Sequence, residues 1–143
     1  MSSSQIASNF REGPAPGDVS SYDVEGDLSA LQYTFVELDT ARPRCVKAYA
    51  GGFPVGVLAN RPVEDATSTA FSLIAQVQTR GKALVKAGSG GLAVGDKVKV
   101  TTGGVGIKAT PTDGDLIVGQ CEYAAAAGYI ATVRLEKMYA RVV

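Results

Sequence analysis

The 143-residue sequence has no histidine and no tryptophan. Without histidine it lacks the commonest general base, the partner that activates serine and cysteine nucleophiles, and the usual ligand of transition metals. An enzyme made from this chain would have to run on carboxylates, lysine or tyrosine. Cys45 and Cys121 stand far apart with no CxxC spacing, which reads as two buried free thiols packing as small hydrophobes. Neither sign of charge is in excess: the formal net charge is zero, which removes the simplest argument for nucleic acid as a partner. Aromatic residues make up 7% and are not interleaved with a basic run, so stacking platforms for single strands are poorly supported. The chain does not open on a basic segment followed by an apolar run, and no apolar stretch is long enough to cross a bilayer as a helix. The expectation is a protein made and kept in a cytoplasm, or released from one by lysis, with no membrane partner.

What is present is turn chemistry. From residue 84 to residue 135, short runs rich in valine, isoleucine and threonine alternate with Gly, Asp-Gly and Thr-Gly-Gly breaks, so the backbone is repeatedly told to extend and reverse. Hydrophobic residues at 45% and charged residues at 20% are the balance of one globular domain, and the length allows a single core. Residues 1–30 differ from the rest. They are rich in serine, carry a Gly-Pro-Ala-Pro-Gly stretch at 13–17, and hold Glu12, Asp18, Asp23, Glu25 and Asp27 against Arg11 alone. Such a segment cannot bury enough surface to offset its ordering entropy. It reads as an extended acidic N-terminal arm, with a β-barrel domain over residues 31–143.

Within that domain a first strand is expected over 31–38, where Leu31, Tyr33 and Phe35 alternate with Gln32 and Thr34. Further strands follow over 45–50, and over 53–60 with Gly56 marking a bulge or a close backbone contact. A strand over 72–78 competes with a helix, because Phe71, Ile74 and Val77 also share a helix face. Residues 82–86 then read as its hairpin partner. The lysines of 97–101 point outward and Val98 and Val100 inward. Residues 116–123 and 129–136 form the last long pair, with Tyr129, Ala131, Val133 and Leu135 on one face. Many short strands at regular spacing make the fold class all-β, a small antiparallel barrel or sandwich.

Little of this pattern carries chemistry. Asp113 and Asp115, and the adjacent Glu64 and Asp65, are carboxylate pairs beside turn formers, where aspartate commonly bonds its own backbone. The glycines at 88, 90 and 91 lack the Lys-Ser/Thr and the helix of a phosphate loop and read as hairpin punctuation. No catalytic, metal or cofactor residue is expected. The scattered Arg42, Arg44, Lys47, Arg61, Arg80, Lys82 and Lys86 are either a solvated face of alternating charge or a docking surface for an acidic partner.

The order of signals from Gly56 onward resembles the capsid decoration, or cement, proteins of tailed bacteriophages. The residues concerned are Gly56-Val57-Leu58 with Pro62, the strands over 72–78 and 82–86 around Gly81, Gly95-Asp96-Lys97-Val98, and Thr102-Gly103-Gly104. They close with Gly119-Gln120-Cys121 and the run from Gly128 to Leu135. Each is a weak signal, and the specificity lies in their order and spacing over roughly residues 50–136. The sequence departs from the pattern in its longer acidic arm and in residues 137–143. The resemblance implies a β-rich protomer, often a homotrimer, that binds the major capsid protein outside an icosahedral shell and stabilises it on the virion. It implies no catalytic residues, no cofactor and no direct nucleic-acid partner. The arm, through Ile6, Phe10, Arg11, Val19 and Tyr22, is then the expected clip onto neighbouring shell subunits. The rival readings are a nucleic-acid or small-ligand binding β barrel and a carboxylate-based enzyme.

Overall fold

The computed structural model describes residues 18–64, 73–110 and 116–136. Ten strands run in chain order: β1 Val19–Val24, β2 Phe35–Leu38, β3 Cys45–Ala48, β4 Pro54–Leu58, β5 Ala75–Gln78, β6 Gly81–Lys86, β7 Lys97–Val100, β8 Gly106–Lys108, β9 Gly119–Tyr123 and β10 Ile130–Leu135. The all-β expectation holds, and the strands divide into two units. β1–β5 form a closed barrel in the order β1-β3-β2-β4-β5, and β6–β10 form a five-stranded sheet in the order β6-β10-β9-β7-β8. That sheet is itself curled. Ala87 forms a parallel bridge to Gly106, and the Gly88 amide donates to the Gly106 carbonyl at 2.8 Å, so the end of β6 meets the start of β8.

Two cores follow from this division. Val24, Leu28, Val36, Val46, Leu58, Ala75 and Val77 fill the barrel. Phe35 and Val57, on the outer wall of the same barrel, pack instead with Ala83, Val85, Val98, Val118, Ala131 and Val133 of the sheet. Successive residues of β2 point to opposite faces, so Phe35 serves one core and Val36 the other, both fully buried. Tyr33 ties the units through its backbone. Its amide donates to Leu58 O at 2.7 Å, and its carbonyl accepts from Lys86 N at 2.8 Å.

Four expectations are corrected. The first strand starts at Phe35 and not at residue 31, because Leu31–Thr34 closes a turn: the Thr34 amide and hydroxyl both donate to Leu31 O, and Tyr33 adopts a φ of 69° that no strand accommodates. Residues 18–30 belong to the barrel and not to an arm. β1 pairs antiparallel with β5, from Val19↔Gln78 to Tyr22↔Ala75, and the barrel closes only through it. β6 is not the hairpin partner of β5, since β1 and β4 already occupy both edges of β5, and β6 crosses to pair with β10. Finally, the barrel is not wholly antiparallel, because β1 and β3 run parallel at Asp23↔Cys45 and Val24↔Val46. The close contact expected at Gly56 is present: a Cβ there would run into the Gln78 carbonyl across the β4–β5 pair.

Candidate functional site

Four carboxylates of the barrel, Asp27, Glu37, Asp39 and Glu64, are engaged with its own loops. Asp27 Oδ1 accepts from the amide and the hydroxyl of Ser29, at 2.9 and 2.7 Å, and these bonds hold its pKa below the usual value, the hydroxyl contributing most. Asp39 Oδ1 accepts from the Ala41 amide at 3.1 Å, which likewise lowers its pKa. Glu37 Oε1 accepts from the Ala50 and Gly52 amides at 2.8 and 2.9 Å and so pins the turn between β3 and β4. Glu64 accepts from the Gly26 amide at 2.9 Å and lies 3.4 Å from Arg42. Each of these groups is an acceptor for turn amides, and the two that come together, Asp39 and Glu64, do so across the Arg42 guanidinium. Asp65, Asp113 and Asp115, the other carboxylates of the expected pairs, lie outside the described residues. Among the described residues no three His, Cys, Asp or Glu side chains are grouped as a metal site would require.

The scattered cations do not merge into one patch. Arg42 reaches Asp39 and Glu64, Lys47 lies 3.9 Å from Glu37, Arg80 bonds Asp18 at 2.9 Å, and Lys82 lies 3.6 Å from Glu122. Arg44 and Arg61 donate to the Ser21 and Ser29 carbonyls. Six of the seven cations, Arg42, Arg44, Lys47, Arg61, Arg80 and Lys82, thus lie close to a carboxylate or a carbonyl, as in a face of alternating charge. Burial pushes the thiols of Cys45 and Cys121 up, so both stay neutral, buried and free.

A cleft of about 380 Å³ separates the β3–β4 turn from the sheet, between Tyr49, Gly52 and Pro54 on one side and Lys99, Val100 and Leu116 on the other. The Tyr49 hydroxyl has its pKa raised by burial and then by the Glu37 charge, so it is a neutral donor in this cleft. The ionisable and hydroxyl side chains of its lining are Tyr49, Thr101 and Lys99, with no carboxylate among them to serve as a base.

Asp18 fixes where the N-terminal segment joins the barrel. Its carbonyl accepts from Thr79 N at 2.8 Å, and its carboxylate holds Arg80 beside Gly81. Leu135 pairs with Gly81 and with Gly119, so the last described strand ends at the same place. Of the residues expected to clip a partner, Ile6, Phe10 and Arg11 lie outside the described residues. Val19 and Tyr22 are half-buried in β1, and Tyr22 packs against the barrel core with the Arg44 guanidinium 6.0 Å from its ring centre.

No family model matches the sequence, and no curated protein matches it. Solved structures do. The head fiber gp8.5 N base of bacteriophage phi29 matches with a TM-score of 0.60 at 15% identity, covering 87% of this chain and 97% of that one. A chain of the capsid of Myoviridae phage XM1 matches with a TM-score of 0.64 at 17% identity, over 87% of this chain and 86% of that one. The protein has the fold of these phage proteins. The likeness spans most of the chain, so it takes in both the barrel and the sheet. Sequence reasoning missed the root of the N-terminal segment at Asp18. Its signal, an aspartate just before the alternating Val19-Ser20-Ser21-Tyr22 run, was hidden by the serine-rich composition around it.

Proposed function

We propose that the protein is a decoration, or cement, protein that binds the outer surface of a bacteriophage capsid and stabilises it. The observation that carries this reading is the fold shared, over 87% of the chain in each case, with the base of the phi29 head fiber and with a chain of the XM1 capsid. The order of turn signals from Gly56 to Leu135 supports it independently. So does the use of the described barrel carboxylates as loop acceptors, which suits a structural protein and leaves no evident role in catalysis. The partner is the major capsid protein, and copies of this chain act together as a homotrimer. Residues 1–17, including Ile6, Phe10 and Arg11, reach neighbouring shell subunits from the anchor at Asp18. Three such contacts reinforce one another through effective concentration, so each can be weak. The protein is made in the host bacterial cytoplasm and resides on the virion exterior.

Sedimentation with expanded empty heads and, in parallel, with naked DNA at physiological salt tests the reading. Saturable co-sedimentation with heads and none with DNA is expected. Binding to DNA alone overturns it in favour of a nucleic-acid barrel. Removal of residues 1–17 is expected to weaken head binding by at least about tenfold while leaving a folded, soluble protein. Undiminished occupancy by the truncated chain removes the arm from the mechanism.

A further inference from the structure

The end of the sheet opposite Asp18 has an unusual surface. Two loops meet there, 87–96 between β6 and β7 and 124–129 between β9 and β10; their one charged residue, Asp96, accepts from the Ala93 amide at 2.9 Å and lies 3.9 Å from Lys108, at the flank of the tip. Leu92 and Ala125 exchange both backbone hydrogen bonds, at 2.8 and 3.0 Å, which carries Val94 toward Tyr123. Gly128 N donates to Ala87 O and Tyr129 N to Ala126 O, so the tip is fixed by its own backbone. Yet its larger side chains face solvent: Val94 is 69% exposed, Tyr123 57% and Tyr129 70%. Ala124, Ala126 and Ala127 are exposed between them. A pre-ordered apolar surface of this kind binds without first having to be ordered.

We propose that this tip, centred on Val94, Tyr123 and Tyr129, is the surface through which copies of this chain associate with one another about a common axis. The proposal rests on the oligomer in the functional reading above and names its contact surface. A second copy is the occupant for two reasons. The exposed centre of the tip has no charge to pair, the Asp96–Lys108 pair lying at its flank, so another copy of the tip meets it by symmetry without desolvating a charge there. The position of the N-terminal root is the second reason. Asp18 sits beside Gly81 at the start of β6, whereas the tip lies past Lys86 at its end, roughly 17 Å away along the strand. Tips joined at an axis therefore leave the Asp18 roots of all copies at the periphery, where the proposed contacts to surrounding subunits would start.

Three large exposed side chains with small residues between them make a limited contact, so association is expected to be weak and to depend on concentration. Sedimentation velocity of the full chain without heads, up to about 1 mM, reads it directly. The weight-average mass is expected to rise from the 14.7 kDa protomer toward a multiple of it, and to do so undiminished in high salt. Val94→Lys and Tyr129→Lys, each at an exposed position, are expected to weaken association at least about tenfold while keeping the β-sheet circular dichroism spectrum. Tyr129→Phe and removal of residues 1–17 are expected to leave it unchanged. A protomer that stays single over the whole range overturns the proposal, as do lysine variants that associate like the parent. Loss of association on truncation also overturns it, since residues 1–17 would then be the occupant. Head binding is measured separately, so a chain that associates through the tip but ignores phage heads retains this surface and loses the functional reading.

Discussion

The barrel of β1–β5 and the curled sheet of β6–β10 fix their loops by different means. Barrel loops are held by carboxylates: Asp27 on Ser29, Asp39 on Ala41, Glu37 on Ala50 and Gly52, Glu64 on Gly26. The sheet's tip loops are held mainly by backbone bonds, among them Leu92 with Ala125 and Gly128 with Ala87, with one carboxylate contribution from Asp96 to the Ala93 amide. In the sheet, charge sits instead on the outer face, where Glu122 lies between Lys82 and Arg134, and Lys97 faces Glu136. A loop closed by backbone bonds needs no charged side chain, so its exterior is left free to be apolar. A loop closed by carboxylates remains charged and wet. The difference leaves Val94, Tyr123 and Tyr129 exposed among uncharged loop residues at the sheet tip.

The comparison breaks most severely at the residue that both units share. Phe35 is fully buried among sheet side chains, while its neighbour Val36 lies inside the barrel. Phe35→Ala removes the largest side chain between the units and is expected to cost about 3–5 kcal/mol. Cys45 and Cys121 provide one buried thiol in each unit. In the parent protein both should become reactive together, at global unfolding. In Phe35→Ala they should react at separate rates, because the barrel keeps its own core. A loss below about 1 kcal/mol with the thiols still reacting together would mean that Phe35 does not couple the units.

A pair of glycines sharpens the comparison at smaller cost. Gly56 on β4 faces the Gln78 carbonyl and lies within 2.9 Å of Val77 Cγ1 when a Cβ is added, and Gly119 on β9 faces the Arg134 carbonyl with Val133 Cγ1 at 2.9 Å. Neither φ is positive, so the conflict is crowding rather than backbone strain. Gly56→Ala and Gly119→Ala are each expected to cost about 1–3 kcal/mol in denaturant unfolding, Gly56→Ala exposing Cys45 first and Gly119→Ala exposing Cys121 first. Identical labelling in the two variants would show that the units do not open separately.

These two glycines also mark how far the sequence can be read. A glycine inside an apolar run signals close approach, and Gly56 was legible for that reason. The alternation over 129–136 put Tyr129, Ala131, Val133 and Leu135 on one face; the last three share a buried face, but Tyr129 precedes the strand and points to solvent. The pairing of β9 with β10 was legible, but the partner of β6 was not, because β6 is turned away from β5 only by closure of a barrel whose other edge comes from β1. β1 itself was concealed by its composition: the barrel interior takes little more from it than Val24, with Tyr22 packing at the edge, so serines serve elsewhere. The sheet tip was read as turn punctuation. Its surface character exists only when loops some thirty residues apart in sequence are brought together by β9 and β10.

The smallest expected effect follows from protonation. The folded pKa values of Asp27 and Asp39 are lowered by the bonds they accept, so their contribution is full above the ordinary carboxylate value near 4 and is lost as pH falls through the lower folded values. Asp27 is exposed and Asp39 half-buried, and each carboxylate holds a single turn, so the loss is local rather than global. Between about pH 4 and pH 2, hydrogen-exchange protection of the Ser29 and Ala41 amides, which donate to these carboxylates, should fall. The amides of Leu92, Ala125 and Gly128 donate to backbone carbonyls that do not titrate in this range, and their protection should hold. Asp27→Asn should remove the acid response at Ser29 without changing it at Ala41. Equal loss of protection at barrel loops and tip would mean that acid acts through global unfolding, and the two modes of closing loops would then have no separate consequence.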